Sequence, residues 1–484
     1  MNTIGNTSKI LEIDEVNRIP IIFMELLSKA DKIDFPRPPS TGDTLKPPSQ
    51  ASYLVTTISK FQQQLGDVAL MVNKGVVYLY NGTHWIPLDN VAMLSFLSKL
   101  ALKYGVPNEK AKYHLFKEQL YKQLVSDVDF AKSRVNVDIT KLNVKNGTLK
   151  IDRGQREMLK HNKEDYFYYV LDFDYDPNAK CPLWDKFIES TLPNEDVRFV
   201  LAENLGTAFI SNEAKTFQSE VLMAWLGGGS NGKGVATKVI SAVFGDNNVT
   251  SYGLQKLCAD KGYYRSLIEN KLLNIASESG RNMSNDHHLK VIASGEPIEG
   301  EVKFESPKII TNYAKVIVSF NKFPFGGDKS HGYYRRWKFI PFDNTVDEKE
   351  ADKQLANKII ATELSGVLNW ILDGLDRYML QNGQFTQSDI IDNVAIKFIT
   401  HDCSQIQFLY DKGYKVSDEE RTSTNDLFGD YLIWAEKENI KMQGTKQSFG
   451  EVLNGKKLNG KLLITRPRGE GYKITTLNVV KEIY

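Results

Sequence analysis

Cysteine is scarce in this sequence: three in 484 residues, at positions 181, 258 and 403. They lie far apart, form no zinc-type spacing and suggest no disulfide framework. No run of eighteen or more apolar residues occurs, so no membrane-spanning helix is expected. The first twenty residues, MNTIGNTSKILEIDEVNRIP, lack the basic-then-apolar order of a secretion signal, and a cytosolic protein is expected. The sequons at Asn81 and Asn146 therefore read as Asn-Gly turns rather than glycan acceptors. An excess of one charge is missing too. The net charge is +1, so any basic surface must be local and balanced by acids elsewhere. No repeat of 20–50 residues is visible, which removes solenoids and propellers.

What is present is ordinary globular material, 41% apolar and 25% charged, in a chain too long for one core. Residues 1–52 read as a short helical preface and a linker, with five prolines in DFPRPPSTGDTLKPPSQ (34–50). Residues 53–190 read as an α+β domain. Its strand pairs VVYLYNGTHWIPL (76–88) and VNVDITKLNVKNGTLKID (135–152) turn at Asn-Gly, where both residues tolerate positive φ. Helical spacing fills 91–127. Residues 183–210 and 347–380 are helical, and strands and helices alternate from 215 to about 345. A third domain is expected over 191–380, and a small α+β unit over 385–484.

The chemistry concentrates at GGGSNGKG (227–234), directly after the apolar run VLMAWL. Five glycines in eight residues are costly to order. Strand, glycine loop, then a helix beginning near Val235 is the context of a phosphate-binding loop. Gly227, Gly228, Gly229, Ser230, Asn231 and Gly232 would turn successive N–H groups on phosphate oxygens, continuing into Gly234 and Val235. Lys233 would reach the β- and γ-oxygens. Gly234 stands where a hydroxyl usually meets Mg²⁺, so the metal would rely on phosphate oxygens, water and an acid, or on Thr237 one turn on.

KLLNIASE (271–278) reads as a buried strand ending in one acid, and Glu278 is the candidate for polarising the attacking water and for the metal. KVIVSFN (315–321) is a third buried strand, with Asn321 placed to hold that water or sense the γ-phosphate. Between them IEGEVKFESPKII (298–310) reads as a hairpin carrying Lys303, Phe304 and Lys308. YYRRWKFIPF (333–342) sets Arg335 and Arg336 before an apolar strand, where an arginine can enter a neighbouring subunit's site.

Taken in order, GGGSNGKG, LLNIASE, the lysine hairpin, VIVSFN and YYRRWKFIPF resemble superfamily 3 helicases of the poxvirus and bacteriophage primase–helicase type. VKNGTLKID followed by DYDPNAKCPLWDKFI, and SGVLNW (365–370), resemble the flanking patterns of that family. The resemblance runs from about residue 60 to about 450. It implies an AAA+-like P-loop ATPase core with an α+β N-terminal domain and a C-terminal winged-helix-like domain. It further implies a ring, hexameric in the family, that hydrolyses ATP with Mg²⁺ and moves on single-stranded DNA to unwind forked duplex, usually 3′ to 5′. Carried over, Lys233 and its loop bind triphosphate, Glu278 is the acid, Asn321 the polar sensor, and Arg335 or Arg336 the finger in trans. Lys303 or Lys308, with Phe304, would grip DNA. Gly234 and Ser277 depart from residues that often help hold magnesium. About 50 residues precede the family-like region, too few for a primase domain, so priming by a separate primase or polymerase is expected.

At the far end, LFGDYLIWAEK (427–437) and SFGEVLNGKKL (448–458) read as two amphipathic helices before the strand pair LLITRPRGEGYKITTL. Helix, helix, hairpin is the winged-helix order. From residue 440 onward nine Lys or Arg face three acids, an excess suited to phosphate. Lys446, Lys456, Lys457, Arg466 and Arg468 are the candidate contacts, with subunit packing the alternative use of that face. Two other functions share these features: a packaging or remodelling P-loop motor on DNA, and an origin-binding initiator that uses ATP as an assembly switch.

Overall fold

Short alternating strands and amphipathic helices dominate the first part of the computed structural model. The described residues are 18–39, 46–66, 68–73, 75–127, 139–277, 286–302, 307–324, 331–345, 352–402, 404–417, 419–437, 445–454, 457–458, 461–463 and 476–481. Two units divide the chain. The first comprises Met1–Asn136, Asn143–Thr148 and Met158–Val170; the second comprises Val137–Leu142, Leu149–Glu157 and Leu171–Tyr484. The fold is mixed α/β.

In the first unit, α1 (Arg18–Ser28) and α2 (Gln50–Gln64) precede an antiparallel meander of β1 (Ala69–Asn73), β2 (Val76–Tyr80) and β3 (Trp85–Pro87). The expected hairpin forms with Tyr80 opposite Trp85, but four residues close it instead of two. Asn81 Oδ1 accepts the N–H groups of Thr83 and His84, and Gly82 takes φ 103°. The expected helical stretch is three helices, α3 (Asn90–Tyr104), α4 (Asn108–Lys112) and α5 (His114–Asp127). Gly105 in the left-handed region ends α3, and Pro107 precedes α4. Ile58, Phe61, Leu79, Met93, Leu97, Leu100 and Leu120 share their core. A second meander follows in the chain, β4 (Thr140–Val144), β5 (Gly147–Asp152) and β6 (Gln155–Leu159), whose residues are shared out between the two units.

In the second unit α6 (Pro182–Thr191) and α7 (Glu195–Gly206) stand where one helical stretch was expected. Proline at 193 lacks the N–H a helix needs, and Asn194 starts a new helix by capping Val197 N. Strands and helices then alternate as the sequence suggests: β7 (Leu222–Leu226), α8 (Lys233–Phe244), β8 (Val249–Thr250), α9 (Leu254–Leu257), α10 (Tyr263–Ser266) and β9 (Leu273–Ser277). After them come α11 (Asp286–Ser294), β10 (Ile298–Gly300), β11 (Lys308–Ile310), β12 (Lys315–Phe320), α12 (His331–Tyr334) and β13 (Trp337–Pro341). β10 and β11 form the expected antiparallel hairpin. The other five strands make one sheet in the order β13-β7-β12-β9-β8, parallel throughout. Near-continuous apolar runs suit it, because such strands bury both faces: Met223, Ala224, Trp225, Ile317, Val318, Phe339 and Ile340 are all solvent-free.

The helical stretch expected over 347–380 is described as α13 (Leu355–Thr362) and α14 (Leu364–Leu380), interrupted at Glu363; residues 346–351 lie outside the described set. Glu363 turns back to accept the N–H groups of Leu183 and Trp184, so a distant carboxylate caps α6. α14 crosses α7 at very short range: an ideal Cβ on Gly374 would lie 2.4 Å from the Ala202 carbonyl carbon.

At the end lie α15 (Asp389–Asp402), α16 (Ser404–Asp411), β14 (Tyr414–Val416), β15 (Thr422–Ser423), α17 (Thr424–Lys437) and α18 (Lys446–Leu453). β16 (Lys457–Leu458), β17 (Lys461–Leu462), β18 (Thr476–Leu477) and β19 (Val479–Lys481) complete the chain. Phe408, Tyr431, Trp434 and Phe449 centre this core. The second expected helix starts two residues earlier and ends before 458, where Lys457 and Leu458 enter β16. The expected final hairpin pairs differently among the described residues: β17 joins β16, β18 joins β15, and β19 joins β14. No helix of the described residues is long and apolar enough to cross a membrane.

Candidate phosphate-loop site

All five parallel strands end on one edge, and there the glycine loop leaves β7. Ligands of parallel sheets bind outside the carboxyl ends of the strands. The loop is tied down at both sides: Gly227 N donates to Phe320 O at 3.0 Å, and Phe342 N donates to Leu226 O at 2.7 Å. Its glycines have different reasons. An ideal Cβ on Gly227 would lie 2.1 Å from Asn231 Nδ2 and 2.3 Å from Phe342 O. Gly232 sits at φ 83°, and its Cβ would meet Thr191 and Phe187 of α6 at 2.9–3.1 Å. Gly229 takes φ 112° and Ser230 φ 47°. Gly228 and Gly234 face open space.

Helix α8 begins at Lys233, two residues before the expected Val235, so the lysine stands in the first turn, where the helix dipole adds positive potential. Lys233 is buried, and its Nζ donates to Gly227 O at 2.6 Å and to Asn231 Oδ1 at 2.9 Å. Burial pushes this ammonium below the ordinary lysine value. Asn231 is buried as well, and its Nδ2 donates to Phe342 O at 2.7 Å.

Strand β12 lies between β7 and β9, so two strand spacings, about 9–10 Å, separate the loop strand from the acid strand. β12 fills the sheet between them, and the space beyond its end lies between the loop and the end of β9. Asn321 leaves the end of β12 between them and is exposed. Ser277 ends β9, exposed; Glu278, one residue on, lies outside the described residues. Asn274 fixes the strand below it, accepting from Thr250 Oγ1 and Tyr252 N and donating to Tyr252 O.

The arginines stand on the opposite edge. β13 runs parallel to β7, so residues before Trp337 are about 20 Å of strand away from Phe342 and the loop. Arg336 is engaged within the chain: Nε and Nη2 meet Ser294 Oγ at 3.2 and 2.9 Å, and Nη1 donates to Gly332 O at 2.7 Å. Arg335 is half exposed and pairs with Glu220 at 3.2 Å.

The hairpin residues Lys303 and Phe304 lie outside the described residues. Lys308 is held at the hairpin base by an ion pair with Glu269 at 2.5 Å, both largely buried. Lys446 Nζ donates to Asn425 Oδ1 at 2.7 Å on an exposed surface. Lys457 lies in β16, while Lys456, Arg466 and Arg468 fall outside the described residues. Thr237 is one turn into α8, half-buried. Among the described residues no group of three or more His, Cys, Asp or Glu is placed to hold a metal ion. Mg²⁺ nonetheless tolerates such a site, since it keeps several waters and binds substrate phosphates with one or two protein oxygens. Of the two metal candidates, Thr237 lies among the described residues and Glu278 does not.

Residues 187, 191 and 342 were not read from sequence as part of the site. Nothing in their local pattern marks them; only the packing of α6 and the end of β13 against the loop does.

Two stretches of the chain match family models. Residues 60–193 match one described as D5 N terminal like, and residues 225–336 match one described as a family of unknown function, DUF5906. The second stretch contains the loop, the β9 end, Asn321 and both arginines. No curated protein matches the chain. Among solved structures, the A form apo structure of the NrS-1 C terminal region is 12% identical with a TM-score of 0.47, over 80% of this chain and 82% of that one. Another apo structure of the NrS-1 C terminal region is 13% identical with a TM-score of 0.42, over 83% and 86%.

Proposed function

We propose that this protein is a phage-type replication protein, an ATP-driven DNA helicase that works as a ring, hexameric by resemblance. One observation carries the reading. A glycine loop with a buried lysine leaves the carboxyl edge of a five-stranded parallel sheet in which one strand is inserted between the loop strand and the acid strand. The D5 N terminal-like stretch supports the replication setting.

In this mechanism the loop amides and the α8 N-terminus receive the β- and γ-phosphates, and Lys233 leaves Gly227 O for a phosphate oxygen. Glu278 draws a proton from a water beyond the end of β12, and Asn321 orients that water. Mg²⁺, held by Glu278 or Thr237 with water, would supply neutralisation of the phosphate charge. A neighbouring subunit supplies an arginine to the transferring phosphoryl. Arg335, half exposed in a surface pair with Glu220, fits that task better than Arg336, whose guanidinium is bonded to Ser294 and Gly332. DNA would meet the hairpin at Lys303 and Phe304 and the basic C-terminal unit.

Strand displacement on a forked duplex, with ATP turnover measured in parallel, tests this. The native chain is expected to unwind, and Lys233→Ala to lose turnover and unwinding by about 100-fold or more. Turnover without unwinding would transfer the assignment to a packaging or remodelling motor. Absence of both, with intact DNA binding, would leave an ATP-switched initiator.

A further inference from the structure

Asn231 makes two hydrogen bonds that pull in different directions along the loop. Its Oδ1 accepts from Lys233 Nζ at 2.9 Å, and its Nδ2 donates to Phe342 O at 2.7 Å. The side chain crosses directly over Gly227, where any Cβ would collide with it. It is 97% removed from solvent, at 3% relative exposure, so both groups are satisfied inside the protein. Phe342 is the residue that follows β13, is itself solvent-free, and packs its ring on Trp225 at 5.4 Å. One amide therefore binds the lysine, the loop and the end of β13 into a single unit.

We propose that Asn231 is a positioning residue: its oxygen parks the Lys233 ammonium at the loop mouth, and its nitrogen anchors the loop to the Phe342 carbonyl. The inference rests on the loop being a triphosphate site. The bond from the Lys233 ammonium to a neutral amide oxygen is charge-assisted on one side only, whereas a carboxylate there would form a full ion pair that competes with phosphate for the lysine. The amide is required for its neutrality as much as for its shape.

The test compares Asn231→Asp with Asn231→Ala in the full chain, titrating AMP-PNP with Mg²⁺ by calorimetry, and then inorganic tripolyphosphate. A positioning role predicts that the near-isosteric aspartate is the worse variant, weakening both probes by about tenfold beyond alanine, the equivalent of one charge-assisted bond. Because aspartate also replaces the Nδ2 donor with an oxygen facing Phe342 O, this order supports the proposal only together with faster acylation of Lys233 in the nucleotide-free alanine variant, which a packing role would not produce. Alanine worse than aspartate, with the native chain binding normally, overturns this inference alone. A native chain that binds neither probe overturns the triphosphate site and this inference with it. Should the aspartate chain not melt cooperatively, that acylation decides alone. Faster labelling than in the native chain, with Lys238 as internal reference, supports the parking role, and unchanged labelling overturns it.

Discussion

At the scale of single residues, chemistry is set by what surrounds each group. His84 shows it plainly. Burial, and secondarily the charge of His161, bring its pKa down to about 4. Unfolded histidine titrates near 6.5, so between those values the unfolded chain binds the extra proton. Stability of the first unit is then fully present above about pH 6.5 and falls as pH drops towards 4. The expected outcome is a melting temperature that falls on acidification in the native chain and less so in His84→Asn. An equal fall in both would remove His84 as the cause. Gly234 is the second case. No atom lies within 4 Å of its ideal Cβ, so packing does not require glycine there. Gly234→Ser should fold and lower the Mg²⁺ concentration for half-maximal ATP turnover about threefold or more, by adding a protein oxygen. An unchanged or higher requirement counts against the proposed metal position.

At the scale of elements, close approach replaces side-chain bulk. α7 and α14 meet through Gly206 and Gly374, with Leu375 against the first and the Ala202–Glu203 backbone against the second. Glu203, fully buried on α7, accepts Thr386 N at 2.8 Å and the Thr386 hydroxyl, and Gln381 Nε2 at 3.2 Å. That carboxylate therefore fixes the chain leaving α14. Gly374→Ala forces the helices apart and should cost about 1–3 kcal/mol, seen as a lower denaturation midpoint. A midpoint equal to the native one would mean the crossing is looser than described. Arg156 ties β6 to the same helix, meeting Asp373 at 2.6 Å and Asp376 at 2.7 Å. Its partners hold the guanidinium charged against a desolvation that opposes it.

At the scale of the whole molecule, the sheet separates what a single chain can complete. Loop and candidate acid strand share the carboxyl edge; Arg335 and Arg336 precede β13 on the other. Under the proposed mechanism the arginine therefore comes from a second copy. Arg335→Ala is expected to bind nucleotide normally but turn it over at about a thousandth of the native rate, with Arg336→Ala acting through stability instead. Mixing Arg335→Ala with Glu278→Gln should restore part of the turnover, because some interfaces then carry an intact pair. Lack of restoration at every mixing ratio would count against a shared site.

Much of this was legible from residue order. GGGSNGKG after VLMAWL, the strand runs LLNIAS and KVIVSF, and the alternation around them mark the loop and the strands, because periodicity and glycine conformation are local properties. The α6–α7 break at Pro193, the four-residue closure at Asn81 and the pairings of β14 to β19 were not readable. The first two depend on backbone hydrogen bonds that compete closely, and the pairings join strands distant in sequence. Sequence by itself determined that a glycine-rich loop with one lysine follows a buried strand. Only the tertiary structure decided that β12 lies between the loop strand and β9, that Asn231 holds Lys233, and that Arg336 bonds Ser294 and Gly332 while Arg335 is half exposed beside Glu220. Strand order and side-chain partnership are long-range outcomes of packing, and no local pattern encodes them.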